Sequence, residues 1–327
     1  MKALVCEGAE TLRWRDVPDP EPGHGQHLVR VAASGICGSD MHAFLGRDER
    51  RPAPLILGHE AAGTIEGGSR DGDRVTINPL VSCGICRACR AGRDNICPDR
   101  RIISLPPTGG AFAQYVAMRE ENLVTVPDDV SLDRAALTEP LACGWHAVRL
   151  GMAALLLPPA EARCHVIGGG AIGTGAALAL RAQGATDITL GEPNAQRRTR
   201  LAAIDGFATV EPGAVTEADL VVDAVGYAAT REAASAICRP GGAILHIGLG
   251  EATGGLDIRR MTLQEITFIG TYTYTAQDFR DTASAIFDGR LGALDWIERR
   301  PLAEGQQAFA DIRAGRVAAP KIILEPW

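Results

Sequence analysis

The chain has 327 residues, a length that favours two domains over a single core. Apolar residues make up 46% and charged residues 22%, which is the balance of an ordinary globular protein. The formal net charge of −7 argues against the basic surface that nucleic acids and anionic membranes attract, so we expect neither partner.

The N-terminal residues lack the apolar run of a signal peptide, and no stretch approaches the ~20 apolar residues of a membrane helix. We therefore expect a cytoplasmic protein. Cysteines stay reduced in that compartment, so a cluster of them indicates metal binding or catalysis rather than disulfides.

Residues 1 to about 141 are rich in turn signals and in short β-like runs, at 28–33, 61–66 and 74–77. Helical periodicity is weak over this part of the chain. The pattern predicts a β-rich first domain.

The pattern changes over residues 142–272, where apolar runs alternate with helical stretches. Such alternation is typical of a doubly wound α/β domain with a parallel sheet. Strands are predicted at 165–168, 187–191, 219–224, 243–248 and 266–270, and helices at 172–183, 195–203 and 228–238. The tail, 273–327, has one predicted helix at 277–287 and a closing strand at 321–324.

Four of the nine cysteines fall close together, at Cys83, Cys86, Cys89 and Cys97. Four closely spaced thiolates suit a closed, tetrahedral zinc site with a structural role. An iron–sulfur cluster is the alternative, but the last spacing is wider than in ferredoxin motifs. We expect a structural zinc lobe at about 83–97.

A glycine motif, Gly168-x-Gly170-x-x-Gly173, follows the first predicted strand of the second domain, and Ala171 and Ile172 open an alanine-rich helix. In this context the glycines allow a tight turn, the approach of a pyrophosphate and the packing of helix on strand. The free N–H groups of the helix then favour the phosphates. A plain strand–helix turn is the alternative.

Glu192 ends the second predicted strand of this domain. An acid there accepts hydrogen bonds from the adenosine ribose and repels a 2′-phosphate, which favours NAD over NADP. Arg197 and Arg198 follow closely, and an arginine that reached a phosphate would favour NADP instead. We expect NAD, with Glu192 and Arg197 at its adenosine end.

Three further motifs surround the cysteine cluster: GICGSD at 35–40, GHE at 58–60 and EPL at 139–141. With the glycine motif, their order resembles the zinc-containing medium-chain alcohol dehydrogenases, in particular the polyol and sorbitol dehydrogenase branch. The resemblance covers essentially the whole chain. It implies a GroES-like catalytic domain at 1–141, a Rossmann NAD-binding domain at 142–272 and a segment, 273–327, that returns to the catalytic domain. Such proteins are commonly homodimers or homotetramers joined through the cofactor domain, here around Ile244 and Ile269.

The resemblance also implies a catalytic zinc held by Cys37, His59 and Glu139, with one position open for substrate or water. Glu139 acts on the metal directly or through water. Glu60 lies beside the metal and enters its coordination shell when water leaves. Cys143 is the alternative third ligand, but its place in the motif puts it near the nicotinamide.

A proton relay is implied on the segment that follows Cys37. Ser39 matches the hydroxyl of that relay, and His42 matches its solvent-facing end, for which a histidine pKa is suited. A partly exposed loop histidine without function is the alternative for His42. Asp40 is implied to orient a metal ligand, as metal-bound histidines require.

Further cofactor contacts are implied at two places. Lys321 matches a C-terminal basic residue that approaches the cofactor phosphates, with a solvated lysine as the alternative. Asp223, Val225 and Gly226 follow a strand end and are expected to line the adenosine side.

Together these features predict a zinc-dependent oxidoreductase that transfers hydride between a polyol or sugar alcohol and NAD, with two zinc ions per chain. Specificity is expected from the stretches around Phe44, His59, Phe112 and 272–275. The same chemistry on a simple secondary alcohol, a threonine-like amino-alcohol or a sugar phosphate stays open. A zinc- and dinucleotide-binding redox sensor is the non-enzymatic alternative.

Overall fold

The computed structural model describes all residues, 1–327. Its first part is β-rich, as predicted. The strands are β1 (Lys2–Gly8), β2 (Thr11–Asp16), β3 (Gln26–Gly35), β4 (Leu55–Ile56), β5 (Glu60–Glu66), β6 (Arg74–Ile77), β7 (Leu80–Val81), β8 (Arg101–Ile102), β9 (Tyr115–Arg119) and β10 (Leu123–Thr125). Three short helices interrupt them: α1 (Gly38–Phe44), α2 (Arg87–Arg90) and α3 (Leu132–Ala135).

The remainder of the chain alternates strands and helices before a short tail. Its elements are α4 (Thr138–Ala154), β11 (Arg163–Ile167), α5 (Ala171–Ala182), β12 (Asp187–Gly191), α6 (Ala195–Leu201), β13 (Ala208–Val210), β14 (Ala218–Asp223), α7 (Ala228–Ile237), β15 (Cys238–His246), α8 (Ile258–Leu263), β16 (Thr267–Gly270), α9 (Ala276–Phe287), β17 (Ile297–Pro301), α10 (Gly305–Arg313) and β18 (Lys321–Glu325).

The central feature of the second part is a parallel sheet of six strands in the order β13-β12-β11-β14-β15-β16. The order reverses direction at β11 and β14, because the chain first builds outward on one side and then on the other. The predicted doubly wound α/β fold is therefore confirmed. A crevice for ligands forms at such a switch point, at the carboxyl ends of the strands.

The tail returns to the β-rich part. Strand β18 pairs with β3 in an antiparallel manner and with β17 in a parallel manner, within a seven-stranded sheet. The largest apolar cluster contains Val166 and Leu245 of the parallel sheet together with Trp145 of α4 and Ile323 of β18. One core therefore joins the two parts and fixes the cleft between them.

Helix α4 spans residues 138–154 and packs against α5 and α9. It crosses the predicted boundary between residues 141 and 142, and the boundaries themselves stay predictions. Among the helices, none combines the length and apolar character needed to cross a membrane.

Candidate metal and cofactor sites

Cys37 lies at the turn from β3 into α1, where a carboxylate organises the surrounding backbone. Asp40 accepts hydrogen bonds from the Cys37 amide at 3.0 Å and from the Gly58 amide at 3.3 Å, and its Oδ1 lies 3.4 Å from Nδ1 of His59. Burial raises the pKa of Asp40, but His59 and the buried Arg51 outweigh it and lower that pKa. A charged Asp40 against Nδ1 leaves the other ring nitrogen of His59 available for a metal.

The donor atoms of Cys37, His59 and Glu60 all lie within 4.8 Å of one another, and both His59 and Glu60 are buried. One thiolate, one imidazole and one carboxylate form a donor set that zinc accepts in catalytic sites. Glu139, expected to act on the metal directly or through water, lies outside this close group, and its role at the metal stays a prediction. Glu60, expected to enter the coordination shell when water leaves, lies inside the group.

Lys321 has different contacts from the expected ones. Its ammonium group donates to both carboxylate oxygens of Glu60, at 2.6 and 2.7 Å, and to the carbonyl oxygen of Ile36 at 2.8 Å. An ammonium has three donors, and these contacts use all of them. Lys321 therefore neutralises Glu60 inside the site, rather than reaching cofactor phosphates or solvent.

Close packing around Glu60 requires glycine at residue 35. The two residues are opposite each other in the β3–β5 pair, and a Cβ at Gly35 would lie 2.0 Å from Oε2 of Glu60. The absence of a side chain at Gly35 is what gives the Glu60 carboxylate its room.

Glu139 lies in the first turn of α4, a position where the helix dipole favours a negative charge. Its Oε1 accepts a 2.8 Å hydrogen bond from the hydroxyl of Tyr274, and both side chains are buried. Burial raises the pKa of Glu139 to about 7. Cys143, one turn further along α4, is half-buried, and burial together with Glu139 raises its thiol pKa well above the usual range. Sequence reasoning placed Tyr274 in a specificity stretch without assigning it this contact.

The relay candidates lie together on α1. Ser39 is half-buried and His42 is exposed, and a spacing of three residues puts them on one helix face. Phe44 and Phe112, in contrast, are packed in an apolar cluster. They are 2% and 0% exposed and pack on Phe309, with ring centroids 5.1 and 6.1 Å away.

The four cysteines of the lobe converge as predicted. The sulfur atoms of Cys83 and Cys89 are 3.9 Å apart, those of Cys86 and Cys89 are 3.5 Å apart, and all four donors lie within 4.8 Å. Zinc–sulfur bonds of about 2.3 Å in a tetrahedron place sulfur atoms about 3.8 Å apart. A disulfide needs about 2.05 Å. Backbone N–H groups of Ile85 and Cys86 lower the pKa of Cys83 to about 7, which favours the thiolate.

The glycine motif forms the turn from β11 into α5. Gly170 is the N-cap of α5, and a Cβ there would meet nothing within 4 Å, so the space in front of the helix is open. A Cβ at Gly173 would lie 1.8 Å from the carbonyl oxygen of Gly168, so this residue must be glycine. Ala171 and Ile172 form the first turn of the helix. The loop is therefore open in front of the helix at Gly170 and closely packed behind it at Gly173, as pyrophosphate binding requires.

Glu192 lies directly against this loop. Its side chain accepts hydrogen bonds from the amide of Gly169 at 2.9 Å and from the amide of Asn194 at 2.8 Å. Arg197 places Nη1 3.5 Å from Glu192 and donates to the carbonyl oxygen of Val317. Arg198 donates to the carbonyl oxygens of Glu192 and Pro193 and pairs with Glu211. Both guanidinium groups are already engaged within the chain.

Asp223, the last residue of β14, has a different role from the expected one of lining the adenosine side. This buried carboxylate accepts from the amides of Val225 and Gly226, at 3.1 and 2.9 Å, and therefore shapes the loop from inside. Val225 lies next to the glycine turn, because a Cβ on Gly168 would come within 2.4 Å of its methyl group.

A doubly wound sheet with an open glycine turn, joined to a β-rich part with two sets of metal donors, defines a zinc- and dinucleotide-binding oxidoreductase. Two family models match the chain: the alcohol dehydrogenase GroES-like domain over residues 23–128 and the zinc-binding dehydrogenase domain over residues 171–288. Sorbitol dehydrogenase of Bacillus subtilis (strain 168) is 34% identical, over 84% of this chain and 82% of its own length. The chain belongs to the zinc-binding, GroES-like alcohol dehydrogenase family.

Solved structures agree with this assignment. A zinc-binding dehydrogenase from Sinorhizobium meliloti 1021, bound to NADP, has a TM-score of 0.88 at 28% identity and covers 99% of both chains. Acetophenone reductase from Geotrichum candidum NBRC 4597, in complex with NAD, has a TM-score of 0.87 at 26% identity, covering 99% of this chain and 96% of that one.

Proposed function

We propose that this chain is a zinc-dependent dehydrogenase that moves hydride between a secondary hydroxyl of a polyol and NAD. The observation that carries the proposal is the convergence of Cys37, His59 and Glu60, next to the buried pair of Glu139 and Tyr274. The name of the Bacillus subtilis relative, sorbitol dehydrogenase, supports a polyol as the substrate class.

Cys37, His59 and Glu60 would hold the catalytic zinc, and Glu139 would face it through water or substrate. When bound, zinc supplies a Lewis acid that lowers the pKa of a substrate hydroxyl, and NAD supplies the hydride acceptor. Lys321 holds the Glu60 carboxylate in one orientation through both of its oxygens. Cys143 lies on α4 one turn beyond Glu139, and we propose that it lies near the nicotinamide.

The hydroxyl proton must leave a site whose donors are largely buried. Ser39 is placed to accept it and His42 to release it to solvent, since the two share one face of α1 and only His42 is exposed. A hydroxyl and an imidazole at this spacing form a short path from the cleft to water.

We propose NAD rather than NADP as the cofactor. The relatives bind either one, so the support comes from Glu192, whose buried carboxylate is fixed against the glycine loop and would repel a 2′-phosphate. Gly168, Gly170, Ala171, Ile172 and Gly173 would bind the pyrophosphate, with Val225 beside them.

The test is nicotinamide reduction against a panel of polyols, sugar acids, simple secondary alcohols, threonine and sugar phosphates, with NAD and NADP in parallel. We expect the highest kcat/KM for a polyol with NAD, and loss of turnover with a chelator. If the chain prefers another class on the panel, that class replaces the polyol as the substrate, and the proposed reaction type is unchanged. Binding of NAD without turnover on any alcohol would favour the redox-sensor function instead.

We further propose a homodimer or homotetramer joined through the edge strand β16, which contains Ile269. Ile244 cannot form that contact, because it is buried in the inner strand β15. Light scattering on the purified protein tests the stoichiometry. A cytoplasmic location is part of the proposal, since a lobe of four thiolates requires a reducing compartment.

A further inference from the structure

A segment of the chain, residues 272–276, links the four-cysteine lobe to the catalytic cleft, and we call it the bracing segment. It begins two residues after the end of β16 and ends at the first residue of α9. On one side it contacts the lobe. On the other side it contributes Tyr274, whose hydroxyl donates to Glu139 at 2.8 Å.

The lobe holds the bracing segment through two adjacent residues of a short 3-10 helix, Asp94–Ile96. The side-chain amide of Asn95 donates to the carbonyl oxygen of Tyr272 at 2.8 Å, and the amide of Ala276 donates to Asp94 at 3.0 Å. Asn95 is 2% exposed. The short helix leads straight into Cys97, so closure of the lobe around its metal fixes both side chains.

The backbone between these anchors is strained. Thr273 has a φ of +47°, and its hydroxyl is buried without a hydrogen-bond partner. A non-glycine residue adopts this left-handed conformation only where its surroundings determine it, and such residues cluster at functional sites. Thr273 lies between Tyr272, which the lobe holds, and Tyr274, which holds Glu139.

The far end of the segment is anchored to the helix that carries Glu139. Thr275 caps α9 and bonds Asp278, and Asp278 in turn bonds His146 and Arg149 of α4. The near end, Tyr272, has no such hydrogen bond to α4, and the side-chain amide of Asn95 holds its carbonyl group. Tyr274 also packs on Phe279 of α9, with ring centroids 5.6 Å apart. Loss of the Asn95 contact would therefore release Tyr272 first and displace Tyr274 through the strained backbone of Thr273.

We propose that Asp94 and Asn95 are positioning residues for catalysis: they hold the bracing segment so that Tyr274 fixes the Glu139 carboxylate beside the catalytic metal site. The proposal rests on the role of Glu139 in the proposed function. The four-cysteine lobe then sets the catalytic rate as well as the stability of the protein.

The test is a double-mutant cycle of Asn95→Ala and Tyr274→Phe in the zinc-loaded protein. Each single change is expected to lower kcat/KM about tenfold, the effect of one lost hydrogen bond. The double variant is expected to be no slower than the worse single variant, because both changes release the same carboxylate. Asp99→Ala, at an exposed residue just after Cys97, is the matched control and should leave kcat/KM within about twofold.

A readout that does not depend on turnover accompanies the cycle. Amide hydrogen exchange in the peptide covering 271–276 should quicken about tenfold in Asn95→Ala and stay unchanged in Asp99→Ala. Zinc content must stay at the wild-type value. If Asn95→Ala loses zinc or fails to fold, Asp94→Ala, which removes the bond to Ala276 from a less buried residue, takes its place.

Multiplicative losses in the double variant, or unchanged kcat/KM with faster exchange, would overturn the proposal. Failure of the proposed function is distinguishable, because a wild-type chain that turns over no alcohol would still show slow exchange in the bracing segment.

Discussion

The interaction between α4 and α9 through Asp278 gives a prediction for stability. Asp278 is 1% exposed and accepts hydrogen bonds from His146 Nδ1 at 2.7 Å, from Arg149 at 2.7 and 3.0 Å and from the Thr275 hydroxyl at 2.6 Å. The Thr275 amide donates a fifth, at 3.3 Å. Asp278→Ala would remove all five and leave the buried His146 without its partner.

The size of the loss follows from these contacts. Hydrogen bonds to charged groups contribute ~1.5–3 kcal/mol each. The contribution of Arg149 is smaller than this range, since its side chain is 46% exposed and water screens the pair. We expect Asp278→Ala to lower the free energy of unfolding by about 3 kcal/mol, near the lower end for breaking a buried ion pair. Asp281→Ala on the same helix, where the only partner is the exposed Gln277, should cost at most ~0.5 kcal/mol.

The dependence on pH has a definite sign. Burial raises the pKa of Asp278, but hydrogen bonds from His146, Arg149 and Thr275 outweigh it and hold that pKa below its usual range. The ordinary value is about 3.9, so the stabilisation is fully present above it and is lost only as the pH falls through the lower, folded-state pKa. The difference between wild type and Asp278→Ala should therefore be at least as large at pH 5 as at pH 8.

Urea unfolding followed by tryptophan fluorescence measures both quantities. A loss below about 1 kcal/mol, or one equal to that of Asp281→Ala, would refute the reasoning from burial and hydrogen bonding. A loss that fades between pH 8 and pH 5 would refute the assignment of the charge to Asp278.

Two further predictions concern the cofactor. Glu192→Ala should raise the ratio of kcat/KM with NADP to kcat/KM with NAD at least about tenfold, because it removes the negative charge that repels a 2′-phosphate. Initial rates with both cofactors measure this ratio. An unchanged ratio would count against the role of Glu192. Gly173→Ala should lower the free energy of unfolding by about 2 kcal/mol or more, since its Cβ would lie 1.8 Å from a carbonyl oxygen. Gly170→Ala should keep the thermal midpoint, because its Cβ meets nothing within 4 Å, and should weaken NADH binding in a fluorescence titration. Equal midpoints for the two glycine variants would contradict this division.

Most of the parallel-sheet domain could be predicted from the sequence, because each βαβ unit has a local signal. The predicted strand at 187–191 has the same bounds as β12, and the predicted strand at 219–224 corresponds to β14, which begins and ends one residue earlier. Helix α4 was missed, although it has seventeen residues. Most of its residues are buried, so it lacks the one-sided apolar pattern that marks a helix, and Pro140 in its first turn reads as a breaker.

The candidate metal donors Cys37, His59 and Glu60 were predicted from short motifs, and the structure brings them together. His59 lies just before β5 and Glu60 is the first residue of that strand, so the alternation of strand side chains between opposite faces does not separate the two. The partner of Lys321 could not be predicted, because Glu60 is 261 residues away in sequence and only the tertiary fold brings the two together.

The contact between Tyr274 and Glu139 could not be predicted either. A tyrosine among threonines in a loop has no local signal for a buried contact, and its partner Glu139 lies on a helix that local periodicity did not show. The contact depends on the packing of α4 against the segment before α9, which involves residues far apart in the chain.

The central claim is that one chain has two zinc sites with separate tasks, and a zinc count on matched variants tests it most directly. Wild type should contain about two zinc ions per chain, and Cys37→Ala and Cys89→Ala about one each. Cys37→Ala should keep the thermal midpoint and lose turnover, whereas Cys89→Ala should lower the midpoint strongly, because a structural zinc contributes folding energy. Two zinc ions retained in Cys37→Ala, or equal midpoints and activities in the two variants, would contradict the account.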